Sequence, residues 1–477
     1  MFLRGGNVLR TVLVDGVGSR WAPAFALDLH ALALFRIGLG FLLVWDLGTR
    51  LVDFETHYTE SGILPLEATV GYSDAPALLP LHKFSPSGWW QRGLFVGALV
   101  ASAGMLLGIR ARSCCFIGWL LLAAVHARNP LVLYGADQLL IVVLFWGMFL
   151  PLGARWGVDA WRAGRRGAGR VMTAAGIGLV WQVSVVYFFS FLSKTGPSWG
   201  QGEALEMVLR LEYYTSDWGR WLLGRPGWLP LLTRATLWIE SVAPLMLLVP
   251  HRGVRWGALA LLGGLQVGFA IFLEVGLFPY ISILALLPLL PRVIQCRRHP
   301  VRGEVRLNRA GEWGAGLSAI AMVLWNIGVS QVQFEKNRLK SMLPSPLVWG
   351  LERFHLDQSW SMFSPDPPSD TSLLMIKGTL GTGEEINVLR PGEPISWRRP
   401  NRPAASLGGD RWRAYLLNLR QRGLTWRPVC QFWMERWGRE FPEAAAIEQV
   451  EVFSFQIAGP SGRPRELVRV FHERAQP

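Results

Sequence analysis

Lys194 stands where a long apolar run ends, in the stretch FFSFLSKTGPSW (Phe188–Trp199). Two kinds of chemistry suit a lysine there. It can anchor a helix end, with its stem in lipid and its ammonium in water. It can also act as a base at the edge of a dry cavity. A free lysine amine keeps its proton up to about pH 10, and an apolar pocket makes it a base by disfavouring the charged form. Tyr187, Phe188, Phe189, Phe191 and Leu192 precede it and could wall such a pocket, although periodicity does not say that they do. Other polar side chains interrupt apolar runs: His30, Arg36, Asp46, His126, Asp137, Glu240, Gln266 and Glu274. Such groups are costly in lipid and face a partner or a cavity. Arg36 and Glu240 lie near the middles of their runs, so one expectation is a structural ion pair between them; the other is a separate partner for each. His126 and Asp137 flank the turn RNPLVLYG (Arg128–Gly135), and ordering that turn is the expected role for both.

The elements that hold these residues are hydrophobic. Of the 477 residues, 51% are hydrophobic and 17% charged, against about 25% charged in soluble domains. A spanning helix needs roughly 20 mostly apolar residues. Up to nine runs qualify, near 26–47, 92–109, 113–127, 136–153, 171–193, 230–250, 254–275, 277–291 and 314–333, with the third and eighth the shortest. The expected fold is therefore a multi-pass α-helical membrane protein of about nine spanning helices. The net charge of +14 is concentrated in short connections, which argues against a nucleic-acid partner. Segment 154–170 holds five Arg against one Asp, and 292–309 holds six Arg against one Glu. Arg110 and Arg112 mark a third basic loop, and His251, Arg252 and Arg255 a fourth. Basic loops stay on the cytoplasmic side. That side then also holds the N-terminus, with Arg4, Arg10 and Arg20, and nine spans place the C-terminal region outside the cytoplasm. The first apolar run lacks a small-residue cleavage site and reads as a spanning helix that targets the chain to the plasma membrane.

Residues 1–335 form the expected membrane domain. Its connections 48–91 and 194–229, rich in Gly, Pro and Trp, are expected outside the cytoplasm as a cap of short interfacial helices. Charge asymmetry puts Lys194 at the same outer surface. Residues 336–477 read as an extracytoplasmic α+β domain. Leu373–Leu380 and Ile386–Leu389 flank the turn GTGEE as a hairpin, Arg411–Gly423 is a helix, and Val450–Ile457 with Glu466–His472 is a second hairpin. The four cysteines, Cys114, Cys115, Cys296 and Cys430, form no C-x-x-C and no zinc pattern, so no metal is expected. No phosphate-binding or metalloprotease motif is present.

Several blocks, in this order, carry a resemblance: LFRIGLGFLLVWD (Leu34–Asp46), HYTESGILP (His57–Pro65), RNPLVLYGADQLL (Arg128–Leu140), FWGMFLPLGARWGVD (Phe145–Asp159), FFSFLSKTGPSW and LEVGLFPY (Leu273–Tyr280). Over roughly 25–335 the chain resembles the horizontally transferred transmembrane (HTTM) domain family, related to vitamin K-dependent gamma-carboxylase. QSWSMFSPDPP (Gln358–Pro368) resembles an element that follows the membrane domain in bacterial members. By this match Lys194 falls on the catalytic lysine. The implied chemistry is specific. The lysine deprotonates a reduced, vitamin K-like quinone, and oxygen converts the quinone to an epoxide through a strong alkoxide base. That base takes a proton from a glutamate side chain, and the carbanion adds CO2. Candidate pocket residues are His57, Tyr58, Asn129, Asp137, Tyr187, Trp199, Glu240 and Gln266. Three positions depart from the carboxylase: Ser193 precedes Lys194 where it has a second lysine, Pro130 follows Asn129 where it has a histidine, and Gln266 stands at a histidine position of many members.

The expected function is thus a membrane enzyme with carboxylase-like chemistry on a lipid quinone or other lipid-soluble substrate, with a secreted protein as a further partner. The alternative is a non-catalytic membrane protein that presents a partner-binding extracytoplasmic domain. A transporter ranks last, because no two-fold repeat is visible.

Overall fold

The computed structural model describes residues 25–66, 79–164, 169–291, 309–332 and 344–474, the last range with short breaks at 370–371, 399, 401–402, 404–406, 423, 425 and 458–463. The N-terminal arginines, most of the basic 292–309 loop with Cys296, and the turn of the second C-terminal hairpin lie outside the described residues.

Nine helices occupy the nine apolar runs. They are α1 (Leu29–Val52), α2 (Gly88–Leu107), α3 (Ala111–Arg128), α4 (Gly135–Phe149), α5 (Ala174–Ser193), α6 (Leu229–Leu248), α7 (Arg252–Phe272), α8 (Phe278–Leu286) and α9 (Arg309–Val332). Local chemistry sets their ends. The Asp28 carboxylate accepts from the N–H groups of His30 and Ala31 at 2.9 and 3.1 Å and starts α1. The Thr173 hydroxyl does the same for α5 through Gly176 N at 3.0 Å. Gly108, at φ +68, ends α2 in the left-handed conformation that favours glycine. Pro244 sits inside α6. A two-residue pairing of β1 (Leu27–Asp28) with β2 (Arg170–Val171) ties the start of α1 to that of α5.

Among the described residues, five of these helices are long and apolar enough to cross a membrane: α1, α2, α5, α6 and α7. The expectation of nine spans is not matched in full. Helix α4 has a physical reason to be short. Its 15 residues cover about 22 Å, less than the ~30 Å hydrocarbon layer. Every residue from Leu139 to Gly147 is buried, so α4 packs inside the bundle and need not match the lipid. The rim helices show the opposite pattern. Val96 and Val100 of α2, Leu231, Trp238 and Leu245 of α6, and Trp256, Val267 and Ile271 of α7 are exposed apolar side chains, as a lipid-facing surface requires. Exposed Trp89, Trp161, Trp218, Trp221 and Trp228 lie near helix ends, where indoles favour the membrane interface.

Beyond α9, helix α10 (Ser345–Arg353) leads to a four-stranded antiparallel sheet of β3 (Leu373–Leu380), β4 (Glu385–Asn387), β5 (Ile447–Ile457) and β6 (Pro464–Arg474), in the order β4-β3-β5-β6. Both expected hairpins are present, and β3 joins them by pairing with β5. Helix α11 (Asp410–Gln421) matches the expected one. Helix α12 (Arg427–Glu440) has no counterpart among the expected elements. One hydrophobic core runs from Leu27 in the bundle to Phe455 in the sheet, so the two regions share an interior.

The α4–α5 contact is tight. The Trp146 ring lies over Gly178, where a Cβ would collide with it, and Trp146 Nε1 donates to Gln182 Oε1 at 3.3 Å. Gly178→Val is expected to lower stability by about 1–3 kcal/mol, read as a drop in thermal midpoint in detergent.

Candidate functional site

Lys194 caps the C-terminal end of α5 and turns inward. Its Nζ donates to Glu240 Oε2 of α6 at 2.5 Å and to Ser190 Oγ at 2.6 Å. Both charged side chains are only 4% exposed. The Trp199 ring lies 5.0 Å from Nζ and faces the ammonium with its π-surface. Helix α6 continues eleven residues past Glu240 towards Leu229, about 16 Å of helix. The short helices Pro197–Gln201, Ala204–Arg210 and Asp217–Leu223 fill the space around it over a small apolar cluster of Val208, Leu209, Leu222, Leu229, Leu273 and Val275. Lys194 is therefore buried beneath this cap, and its ammonium does not extend to water. The free space beside it is small, about 40 Å3, and its remaining walls include Leu205, Thr236 and Phe269.

Segment Gln358–Asp366 straps this loop in place. Asp366 Oδ1 accepts from Ser198 N at 3.0 Å and from the Ser198 hydroxyl, and Gly196 N donates to Pro365 O at 3.0 Å. Trp199 Nε1 donates to Phe363 O at 3.0 Å. A Cβ on Gly196 would strike the Asp366 carboxylate, which is why the turn after Lys194 needs glycine there. Tyr187, two turns before Lys194 on the same face of α5, accepts from Gln266 Nε2 at 3.2 Å. Lys194, Glu240 and Trp199 thus come together, with Tyr187 and Gln266 bonded to one another on the same side of α5.

Arg36 does not pair with Glu240. Its Nη2 donates to Trp156 O at 2.5 Å, and its guanidinium packs on Gly108 and Gly157 at the end of the bundle where α1 begins. Glu240 is already neutralised by Lys194, so each of the two charges has its own partner.

Most of the remaining candidates gather in a second place, while His30 lies by Asp28 and Trp156, and Glu274 by Tyr214. Arg50 of α1 donates to Asp46 Oδ2 at 2.8 Å and to Tyr58 Oη at 2.8 Å, lies 3.1 Å from His126 Nε2, and pairs with Asp137. Arg411, from α11, donates to Asp137 Oδ2 at 2.7 Å, to Val132 O at 3.1 Å, and pairs with Asp46. Two guanidiniums and two carboxylates balance, all at most 5% exposed. Asp46, His126 and Asp137 have a spacing that a metal ion could bridge, but here the two arginines occupy the carboxylates. Asp137 also accepts from Tyr134 N at 2.8 Å, the turn-ordering role expected of it. Asn129 Nδ2 donates to His57 O at 3.1 Å. The His57 ring packs 4.8 Å from Trp412 with both nitrogens unpartnered. Burial first, then the charges of Arg411 and Arg50, lower its pKa to about 3. Ser190 and Arg50 were not among the expected site residues, although each stands four residues from its partner on one helix. Arg411 is 365 residues from Asp46 and carries no local signal.

Arg411→Met leaves two buried carboxylates against one guanidinium and is expected to cost about 3–5 kcal/mol. Limited proteolysis between residues 369 and 474 should then accelerate, and adding Asp137→Asn should restore part of the loss. His57 generates a second prediction. Its folded pKa lies below the unfolded value, so the unfolded state binds more protons between about pH 3 and 6.5. Its contribution is complete above pH 6.5 and is lost as pH falls through that window, by up to about 1.4 kcal/mol per pH unit. Buried His82 and His355, each lowered to about 4, act in the same sense. Unfolding measured from pH 7 to 4 should therefore show a shallower loss in His57→Phe, by one proton's worth of slope.

The HTTM domain profile matches residues 26–292. No curated protein and no solved structure matches the chain. The matched region runs from α1 through α8 and includes Lys194, Glu240 and both aspartates of the buried charge set. The chain is an integral membrane protein that belongs to the HTTM domain family.

Proposed function

We propose that this protein is a membrane enzyme with carboxylase-like chemistry, and that Lys194 is its general base toward a lipid-soluble substrate. One observation carries the reading: a lysine amine, 4% exposed, faces an apolar cavity and shares a contact with a buried carboxylate. A snorkelling lysine would instead extend to water.

The residues do two things. Ser190 and Glu240 hold Nζ in one position, which fixes the direction in which its lone pair or proton points. Glu240 also lets the pair carry one proton on either partner. With the proton on the carboxyl, the amine is neutral and accepts a proton from an acidic hydroxyl; with the proton on the amine, the carboxylate compensates its charge. Trp199 covers the face of the ammonium that no oxygen occupies.

A reduced, vitamin K-like quinone supplies an acidic hydroxyl and the reducing power that carboxylation with oxygen requires. The donor set suits such a ring, because the base is single and the walls are apolar. The free space does not, since about 40 Å3 holds a water or so. The cavity must enlarge before a ring enters.

The basic loops favour a chain in the plasma membrane with its N-terminus cytoplasmic. The Lys194 cap, loops 48–91 and 194–229 and the region 336–477 then lie outside, where a secreted protein substrate has access.

The test uses the full chain in lipid nanodiscs with reduced vitamin K and oxygen, and reads quinone epoxide by chromatography. Wild type is expected to turn over. Lys194→Ala should lose activity by about 10²–10⁴-fold. Because it strands the buried Glu240 carboxylate and lowers the thermal midpoint, Lys194→Ala/Glu240→Gln serves as the folded control and should be equally inactive. Lys194→Arg should also fail because arginine keeps its proton. Wild-type rates in Lys194→Ala would overturn the reading.

A further inference from the structure

Two cavities meet at one wall. The small Lys194 cavity and a cleft of about 440 Å3 share Val275, Met362 and Phe363 as lining. The cleft lies between the helical bundle and the C-terminal region, and its other walls are mixed: apolar groups such as Leu211, Phe278 and Trp360 alternate with the polar side chains of Gln138, Ser361, Asp410 and Arg413. The Lys194 side is apolar except at the Lys194–Glu240 end.

Met362 and Phe363 of the wall belong to the strap Gln358–Asp366, which is tied at both ends. At its start, Gln358 exchanges amide hydrogen bonds with Gln182 at 2.6 and 2.8 Å, and Asp357 O accepts from Gln138 at 3.0 Å. At its end, Asp366 holds Ser198. Between the ties stands Phe363 at φ +59, a left-handed conformation that a bulky side chain adopts only when its surroundings impose it. Its ring meets Tyr214 edge-on with centroids 6.1 Å apart. Its carbonyl accepts the indole N–H of Trp199, the ring that covers Lys194. Release of Phe363 from this conformation would open the wall and free the indole in one movement.

We propose that Phe363 is a gate, and that the 440 Å3 cleft is the water-side entrance to Lys194. Its ligand is amphipathic: the apolar end reaches the lysine and the polar end rests against the hydroxyl, carboxylate and guanidinium groups of the cleft. The joined space falls in the range of small-molecule sites, about 300–1,000 Å3, which the Lys194 cavity alone does not approach. The ligand assignment rests on the reading of Lys194 as a base; the gate does not.

A thiol at Thr236, whose hydroxyl bonds to Leu232 O of its own helix, reports on the Lys194 cavity. In Thr236→Cys protein in nanodiscs, labelling by a charged, membrane-impermeant methanethiosulfonate is read at that peptide by mass spectrometry. Labelling should be slow in the parent and faster by on the order of tenfold when Phe363→Ala is added. Phe363→Gly, which removes the ring and suits the left-handed backbone, should behave alike and covers the case in which the alanine variant does not fold. Unchanged labelling in the folded variants would overturn the gate. So would acceleration of a lipid-soluble maleimide alone, since entry would then run through the bilayer. Wild-type turnover in Lys194→Ala would overturn the base and leave the labelling result standing.

Discussion

Two arginines and two aspartates, buried together, hold the molecule in one arrangement. Asp46 and Arg50 come from α1, Asp137 from α4 and Arg411 from α11. Each charge is tolerable only while the others are present, because an unpaired buried charge costs several kcal/mol. The set therefore makes the C-terminal region part of the membrane domain's own interior. Asn418 reinforces the junction by donating to Leu131 O and Leu133 O at 2.8 and 3.0 Å. The strap that covers Lys194 emerges from the same junction, since Gln138 on α4 holds its first residues. Docking of the C-terminal region and of the strap beside Lys194 thus share one junction.

Much of this was legible in the sequence where the signal is local. Apolar runs located the nine helices, and turn residues located both C-terminal hairpins. Lys194 stood out because an apolar run ends there in a lysine followed by Thr-Gly-Pro-Ser-Trp. Its partner was harder to read. Arg36 and Glu240 sit at matching depths of their runs, which suggested a pair, yet hydropathy does not record which helices are neighbours. The structure gives Glu240 to Lys194 and sends Arg36 to the carbonyl of Trp156. Arg411 was invisible for the same reason: one arginine in an amphipathic helix of a basic domain looks like any other. Helix α12 was missed because three arginines and two glutamates within it weaken an apolar stripe that the fold nevertheless buries through Val429, Cys430, Phe432 and Trp433.

The span count shows what length alone can say. Lipid requires a certain length only of a helix that faces lipid. Helix α4 is surrounded by α1, α3, α5 and α8 and answers to its neighbours. Helices α6 and α7 form the outer hairpin and carry the exposed apolar side chains. The Lys194–Glu240 contact lies where buried α5 meets this outer hairpin, between the part of the bundle fixed by packing and the part set against lipid.

Pro244 gives that boundary a mechanical property. Proline has no N–H, so the carbonyl of Glu240, four residues earlier, lacks its usual intrahelical donor. Helix α6 is therefore two stiff rods joined where its only buried carboxylate sits. The upper rod is set by the cap and the lower by Ser184, whose hydroxyl donates to Pro244 O at 3.3 Å. The joint thus sits between two polar ties to α5: the Lys194–Glu240 contact on one side and the Ser184 bond on the other.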